Sequence, residues 1–345
     1  MKRLRARRQV ITVAAILLVS AAGTMFYVQS RAATPLVSAE PEAGTISAPA
    51  ARISDNAASA GAAVKFTPAV VSTAKPSAAN TGVPAGTSLT VVSGDQVYST
   101  ANQVISNVDI RGYVQITGKN VTIRNSIIRG GIKPCIMGNA QNSAALWVRE
   151  DLAATATIEN VEISPSNATA CMDGIWASNS TLTRVNVHGS VDGIKAHNNL
   201  RIEDSYIHDL AYFASDPNQG GRATHNDGVQ SYQCNSNITI NHNTIDLSTS
   251  SGGNAAYQIT QDYSKACSNI VISNNWLDGG NCTINIAHKV LASLTGVSVT
   301  GNRFGRHQGF TNCTVLLSTR STLTAYSGNV WDDTGLPIPS PSVHD

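Results

Sequence analysis

The chain has 345 residues, of which 5% are aromatic and 13% are charged, and both fractions are low. This composition disfavours a helical enzyme and is typical of many short strands joined by tight turns. The formal charge of +2 is misleading, because residues 1–32 hold six basic residues and no acidic one. The remaining 18 basic and 22 acidic residues do not make a nucleic-acid-binding surface, so no nucleic acid partner is expected.

Residues 1–32 are predicted to be a signal peptide or an N-terminal membrane anchor. The basic stretch KRLRARR precedes the apolar run VITVAAILLVSAAGTMFYV and the small-residue exit QSRAATP, which is the order of an export signal. Ser30 and Ala32 suit cleavage after Ala32, whereas an apolar run of about 19 residues is also long enough to span a bilayer. The protein is therefore expected to be secreted, or tethered to the cell surface through this segment alone.

Residues 33–88 are rich in Ala, Ser, Thr, Pro and Gly and are predicted to be a disordered linker. Within them, AEPEAGT and SAGAAVKF resemble the opening strands of β-sandwich carbohydrate-binding modules. The resemblance covers about 30 residues (37–66), and the rest of such a sandwich is missing. It implies a remnant of such a module or a short docking segment.

From about residue 89 the sequence repeats a short phrase in which apolar and polar residues alternate. This period of two indicates a strand with one buried face. Asn, Asp, His or Gly recurs three positions before the last apolar residue, and the Asn residues are expected to form a hydrogen-bonded ladder at the strand corners. The copies are NVTIRNSII (120–128), TATIENVEI (155–163), STLTRVNV (180–187), NLRIEDSYI (199–207), SNITINHNTI (236–245), SNIVISNNWL (268–277), LTGVSVTGNRF (294–304) and LTAYSGNVW (323–331).

The last apolar residues of successive copies are 20 to 38 residues apart, a period that indicates a β-solenoid. No helical pattern lies between the strands, which excludes βαβ units. The phrase and its periods resemble the pectin-lyase-like superfamily of parallel β-helices over roughly 89–335. The resemblance implies an all-β, single-stranded right-handed parallel β-helix in this range and a short tail over 336–345. It indicates the fold more than the activity, because many chemistries share this fold.

Six cysteines follow the N-terminal segment, and an even number in an exported chain predicts three disulfides. None stands in a CxxC pair, which disfavours a zinc cluster. Pairing in chain order separates the partners by 36, 33 and 31 residues, about one coil, and stacked coils bring such positions within disulfide reach. The predicted pairs are Cys135–Cys171, Cys234–Cys267 and Cys282–Cys313.

Each coil carries a second strand, marked in three coils by an Asp-Gly dipeptide at 173, 192 and 227. Period two places one column of residues inward: Ile175, Ile194, Val229, Tyr257, Ile284 and Val315. It places the next column outward: Trp176, Lys195, Gln230, Gln258, Asn285 and Leu316. A further outward column is Ser178, His197, Tyr232, Thr260 and Ala287. The long loop 208–226, which contains Arg222 and His225, returns beside these columns and is a candidate functional loop.

This constellation suits β-elimination on a uronic acid. The reaction needs a base for the proton at C5 and positive charge or hydrogen-bond donors on the neighbouring carboxylate. The expected catalytic residues are Lys195, His225, Arg222 and Asp227. The candidate bases are Lys195, His197, His225 and Tyr232, of which Lys195 and His225 are preferred. The expected substrate-binding residues are His197, Gln230, Tyr232, Gln258 and Trp176. Asp192 and Asp227 are expected either to hold a calcium ion or, with no cofactor, to orient the base. The resemblance implies calcium as a frequent carboxylate neutraliser.

Two other functions remain open at this stage. A parallel β-helix can serve as a non-catalytic polysaccharide-binding protein, a rigid spacer or a surface adhesin. A glycoside hydrolase needs two carboxylates at a set separation, and the sequence has only partial echoes of the polygalacturonase-type phrases in VHGS (187–190) and DGIKAHN. In each case the expected partner is a polysaccharide, with an acidic polymer for the lyase, and the protein is expected to act as a monomer.

Overall fold

A computed structural model describes residues 50–54, 62–66, 74–136, 144–232, 235–260, 267–287, 294–318 and 322–344. The predicted signal or anchor segment lies outside the described residues. Within the described ranges, the helices are too short to cross a membrane. The described residues fall into two units, divided between residues 71 and 72.

The first unit contains a two-stranded antiparallel sheet inside the predicted linker. Strand β1 (Ala50–Ser54) pairs with β2 (Ala62–Phe66), and Ala50 lies opposite Phe66. Strand β2 falls in the SAGAAVKF segment that resembles a carbohydrate-binding module. The second unit also begins earlier than residue 89, because Pro76, Thr81 and Gly82 are buried and the Gly82 N–H donates to the Arg184 carbonyl at 2.8 Å. The predicted linker therefore contains a pair of antiparallel strands, and its last residues belong to the second unit.

The second unit is built almost entirely from short strands. Two 3-10 helices, Glu150–Leu152 and Pro217–Gln219, are its helical segments among the described residues. The strands in chain order are β3 (Thr90–Ser93), β4 (Gln96–Tyr98), β5 (Val104–Ser106), β6 (Val108–Arg111), β7 (Val114–Ile116), β8 (Val121–Ile128), β9 (Ala144–Val148), β10 (Ala156–Ile163), β11 (Asp173–Ala177), β12 (Ser180–Thr183), β13 (Asn186–Val187), β14 (Ile194–Ala196), β15 (Leu200–Glu203), β16 (Tyr206–His208), β17 (Asn226–Tyr232), β18 (Ile238–Asn241), β19 (Thr244–Asp246), β20 (Gly253–Thr260), β21 (Ser268–Ser273), β22 (Trp276–Asp278), β23 (Ile284–Ala287), β24 (Thr295–Thr300), β25 (Arg303–Phe304), β26 (Val315–Ser318), β27 (Ala325–Ser327), β28 (Val330–Trp331) and β29 (Ser342–His344).

These strands stack into three parallel sheets, and the chain visits the sheets in turn as it winds. Sheet 1 consists of β4, β7, β9, β11, β14, β17, β20, β23, β26 and β29. Sheet 2 consists of β5, β12, β15, β18, β21, β24 and β27, with the first halves of β8 and β10. Sheet 3 consists of β3, β6, β13, β16, β19, β22, β25 and β28, with the second halves of β8 and β10. The predicted parallel β-helix is confirmed.

The repeated phrase covers sheets 2 and 3, and the polar residue three positions before its last apolar residue is the corner between them. These corner residues have a positive φ, a conformation that Asn, Asp and Gly adopt more readily than other residues. The corner residues are Asn107, Asn125, Asn160, Arg184, Asp204, His242, Asn274, Gly301 and Gly328. The corner turns the chain and divides one sequence phrase into two strands.

The predicted asparagine ladder is confirmed, and its longest buried run lies one residue after the corner. Asn243, Asn275, Asn302 and Asn329 occupy successive coils and are at most 2% exposed. Each Nδ2 of the first three donates to Oδ1 of the next, at 3.0, 2.9 and 3.1 Å. Each Oδ1 of the last three also accepts the backbone N–H of the preceding Asn. The ladder therefore satisfies backbone and side-chain polar groups that the turn buries.

The predicted register of sheet 1 is confirmed for both of its main columns. The inward residues pair with one another from Ile175 through Val315 and are fully buried. The outward residues pair from Trp176 through Leu316 in the same strands. A slip of one residue would have exchanged the faces, so this register places the polar column on the outside.

Covalent links and the C-terminal residues complete the second unit. Cys135 bonds to Cys171, and Cys282 bonds to Cys313, as predicted. Cys267 is also disulfide-bonded, whereas its predicted partner Cys234 lies outside the described residues. The predicted tail contains β29, which pairs in parallel with β26 and forms the last strand of sheet 1.

We expect Asn275→Ala to lower the free energy of unfolding by about 3 kcal/mol, because it leaves buried hydrogen-bonding groups of Asn243 and Ile240 without their partner. The measurement is denaturant unfolding monitored by circular dichroism. The control is Asn281→Ala at an exposed position. An equal, small effect of both substitutions would contradict a stabilising role for the ladder.

Candidate functional site

The outer face of sheet 1 aligns aromatic, charged and amide side chains in one column. Trp147 on β9 lies beside Trp176 on β11, and Trp176 lies beside Lys195 on β14. Gln230 on β17 and Gln258 on β20 continue the column. Because adjacent parallel strands are about 4.8 Å apart, side chains of several coils can contact one extended ligand.

The β9 end of the column is aromatic. The ring centroids of Trp147 and Trp176 are 5.6 Å apart in a T-shaped arrangement, and those of Trp176 and His197 are 6.3 Å apart. The guanidinium of Arg149 lies 4.3 Å from the Trp147 ring centroid. Glu150, in the 3-10 helix that follows β9, places Oε2 3.1 Å from Nδ1 of His197. This contact orients the imidazole beside the Trp176 ring.

Next to the aromatic rings, three aspartates on successive coils surround one lysine. Lys195 Nζ lies 2.8 Å from Asp192 Oδ2 and 3.5 Å from Asp173 Oδ2. The same ammonium donates to Gln230 Oε1 at 2.7 Å, and Gln230 Nε2 donates to Asp227 Oδ2 at 2.8 Å. Asp173, Asp192 and Asp227 are 7%, 4% and 0% exposed. The cluster is therefore a nearly buried charge network below the column.

The Asp-Gly dipeptides lie at or just before the beginnings of their strands, and their two residues have separate roles. Asp173 Oδ1 accepts the Asp192 N–H at 3.2 Å, and Asp192 Oδ1 accepts the Asp227 N–H at 2.8 Å. The carboxylates of Asp173 and Asp192 thus hold the backbone of the next coil. The glycine that follows allows the close approach of the coils, since a Cβ on Gly174 would lie 2.5 Å from the next backbone oxygen.

Burial keeps protons on part of this cluster. Burial and the charge of Asp192 raise the pKa of Asp173 to about 7, although Lys195 opposes the shift. Burial, followed by the charge of Asp192, raises the pKa of Asp227 well above its ordinary value. Burial lowers the pKa of Lys195, but the charges of Asp173 and Asp192 raise it by more. The lysine therefore stays an ammonium at neutral pH, a state that does not suit the base predicted for it.

The aspartates do not offer calcium a suitable set of ligands. A calcium ion requires several oxygen ligands that are free to approach it. The Lys195 ammonium contacts Asp192 and Asp173, and both oxygens of Asp227 accept amide N–H groups from Gln230 and Asn254. The ammonium supplies the positive charge that a metal ion would bring to these carboxylates.

The other residues predicted for the site lie in three different environments. Arg222 and His225 are exposed in the loop between β16 and β17, where Arg222 Nε donates to the Gln219 carbonyl at 3.1 Å. Among the described contacts, neither residue bonds to Lys195, Gln230 or Asp227. Gln258 is 7% exposed and its Oε1 accepts from Asn254 at 3.3 Å. The backbone of Tyr232 pairs with that of Thr260 at the end of β17, and its side chain lies outside the described part of the structure.

Sequence reasoning missed four residues of the site: Trp147, Glu150, Asp173 and Asn254. Trp147 could have been predicted from the sequence, because Leu-Trp in β9 matches Ile-Trp in β11. The structure pairs Leu146 with Ile175 accordingly. Asp173 had its Asp-Gly dipeptide. Glu150 had none, because its partner His197 lies 47 residues further along the chain.

A second polar surface lies on sheet 2. An open groove of about 540 Å³ is lined by threonines and by the asparagines that precede the sheet 2 strands. Asn199 donates to Asn179 at 2.8 Å, and Asn237 donates to Asn199 at 2.9 Å. The groove contains none of the residues predicted for the site.

We expect Asp227→Asn to flatten the pH dependence of stability. The pKa of Asp227 is raised in the folded state, so the folded protein binds more protons at this group, and the contribution of Asp227 to stability falls as pH rises above about 4. This loss reaches up to about 1.4 kcal/mol per pH unit for one carboxyl group. The measurement is the unfolding free energy from about pH 4 to about pH 7.

The control is Asp333→Asn, because Arg306 lowers the pKa of Asp333 and places its titration below this window. The side chain of Asn254 can rotate to pair with the new amide, so Asp227→Asn is expected to fold. Identical slopes for Asp227→Asn and the wild type would show that Asp227 holds no extra proton.

Comparisons with known proteins identify no family. No protein-family model matches the chain, and no curated protein matches it. The chain is similar in structure to the Dettilon tailspike protein, with 12% sequence identity and a TM-score of 0.35. The match covers 70% of this chain and 59% of the tailspike chain. This match is too weak to assign the fold. The parallel pairing of strands from successive coils identifies it as a parallel β-helix.

Proposed function

We propose that this protein is an exported polysaccharide-binding β-helix and that the outer face of sheet 1 is its glycan site. The observation that carries the proposal is the column in which Trp147 and Trp176 adjoin Lys195 and Gln230 in one register. Ligand sites commonly combine aromatic surface with a few fixed polar groups. The apolar face of a sugar ring can lie on an indole, and its hydroxyl groups can bond to the amides.

The hydrogen-bond network below the column supports this proposal because it fixes the side chains before a ligand arrives. Trp176 Nε1 donates to Asp173 Oδ2 at 2.7 Å, which holds the indole. Gln230 is held from both sides, by Lys195 and by Asp227. Side chains that are already ordered lose little conformational entropy on binding.

Export is part of the proposal. The two described disulfides are typical of an oxidising compartment outside the cytosol. The basic and apolar order of residues 1–32 is that of an export signal. An extracellular location would bring the protein into contact with polysaccharides.

We expect Trp176→Ala to weaken polysaccharide binding about tenfold or more, because it removes the ring and the hydrogen bond to Asp173. The measurement is affinity electrophoresis and calorimetry against a panel of soluble polysaccharides. The matched control is Trp276→Ala, since Trp276 is a half-buried tryptophan on sheet 3. Equal affinities of Trp176→Ala and the wild type would exclude this face as the site.

β-Elimination on a uronate polymer is the second candidate function, and one contact favours it. The Glu150 carboxylate lies 3.1 Å from Nδ1 of His197, an arrangement that leaves Nε2 available as a general base. Lys195 would serve in this reaction as a cation, and Arg222 and His225 would have to approach from their loop. Under this alternative, the C5 proton moves to Nε2 of His197, a C4=C5 double bond forms as the C4–O bond breaks, and water protonates the leaving glycosidic oxygen.

The test is the absorbance of new unsaturated ends after incubation with uronate polymers. If the second candidate is correct, His197→Ala lowers the rate about a hundredfold or more. The control is His188→Ala, because His188 also lies 3.1 Å from a glutamate but on another face. Wild-type protein that releases no unsaturated ends from any uronate polymer would exclude the lyase.

A further inference from the structure

We propose that the glycan recognised by sheet 1 is an uncharged polysaccharide rather than a uronate or sulfated one. The inference rests on the proposed function and concerns the charge of its ligand. It follows from the cations and carboxylates that border the column. If it is correct, the lyase alternative fails for this face, because β-elimination requires a uronate.

The column has two cations, Lys195 within it and Arg149 beside Trp147, and both are already paired with carboxylates. Lys195 contacts Asp192 and Asp173, and its side chain is only 22% exposed. Arg149 forms two bonds with Asp151, with Nε to Oδ1 at 2.8 Å and Nη2 to Oδ2 at 2.6 Å. A third bond, from Nη1 to Gln115 Oε1 at 3.3 Å, uses another donor of the same guanidinium. Neither cation presents the unpaired fork of donors that binds a carboxylate.

Carboxyl groups outnumber these cations. Glu150 and Asp151 stand beside the aromatic rings, and Asp173, Asp192 and Asp227 lie below the column. With Asp173 and Asp227 protonated, three carboxylates still oppose two cations. The local field is therefore negative, and like charge in a ligand is disfavoured.

The groups that remain for recognition are neutral. Trp147 and Trp176 offer ring surface, and Gln230 offers an amide that the network holds in place. Asn285, two coils beyond Gln230 in the same column, is half-buried and adds another neutral amide. A sugar hydroxyl can both donate to an accessible amide oxygen and accept from an amide N–H, whereas a carboxylate can only accept.

Arg222 is the cation in the loop that could still change this balance. It is exposed, and its Nε bonds to the Gln219 carbonyl within the loop. If Arg222 served to bind a uronate on this face, its removal would weaken uronate binding selectively. The experiment therefore includes Arg222→Ala.

The test measures the affinity of the full-length protein for two groups of soluble polymers. The uncharged group contains a β-glucan, a galactomannan and an arabinoxylan, and the charged group contains polygalacturonate, alginate and a sulfated galactan. We expect the best uncharged polymer to bind about tenfold or more tightly than any charged one at low salt. Added salt should strengthen or leave unchanged the residual binding of charged polymers, because it screens repulsion.

Asp151→Asn sharpens the test because it frees the Arg149 guanidinium. We expect the ratio of uronate affinity to uncharged-polymer affinity to rise about threefold or more at low salt. Asp333→Asn is the matched control, since it frees Arg306, which also stacks on a tryptophan and pairs with an aspartate. In the control the ratio should stay within about twofold of the wild-type value.

The outcomes separate this inference from the proposed function. The inference would be overturned if a charged polymer bound more tightly than every uncharged one and if salt or Arg222→Ala weakened that binding. The proposed glycan site would still stand. An unchanged ratio in Asp151→Asn would also count against it, because the charge balance would then not set the preference. Absence of binding to every polymer would refute the proposed function and the inference together.

Discussion

The hydrogen bond from one coil to the next is the interaction on which the rest of this structure depends. Each sheet consists of parallel strands from successive coils, and the side chains at the corners bond in the same direction as the backbone. A single coil has neither a buried core nor partners for its polar groups, so stability arises only between neighbours. The regular spacing of the outer columns, including the proposed glycan site, is a direct consequence of this stacking.

The sequence predicted the fold and register well because both depend on local alternation. The period of two distinguishes Ile175 from Trp176 without any knowledge of distant contacts, and each later coil repeats the distinction. The disulfides Cys135–Cys171 and Cys282–Cys313 could be predicted for a related reason, since one coil fixes the spacing of both partners. Strand register and disulfide spacing could therefore be predicted because they recur from coil to coil.

The parts that escaped prediction do not repeat. The role of the Asp-Gly dipeptides became clear only from the contact between coils, where Asp192 Oδ1 accepts the Asp227 N–H. The state of Lys195 depends on how deeply its carboxylates are buried, which composition does not show. The segment around Thr81 and Gly82 is polar and short, and its place against Arg184 has no periodic signal. The charge and burial of the site were therefore accessible only from the structure.

The corner between sheet 3 and sheet 1 absorbs large differences in chain length. Only residues 188–193 separate β13 from β14, whereas residues 209–225 separate β16 from β17, yet Lys195 and Gln230 remain in register. Insertions at this corner can thus alter what borders the column without moving the column. In such a scaffold, a change of loop length at this corner can alter ligand preference while the stacked strands stay the same. Recognition can therefore evolve without disturbing the contacts on which folding depends.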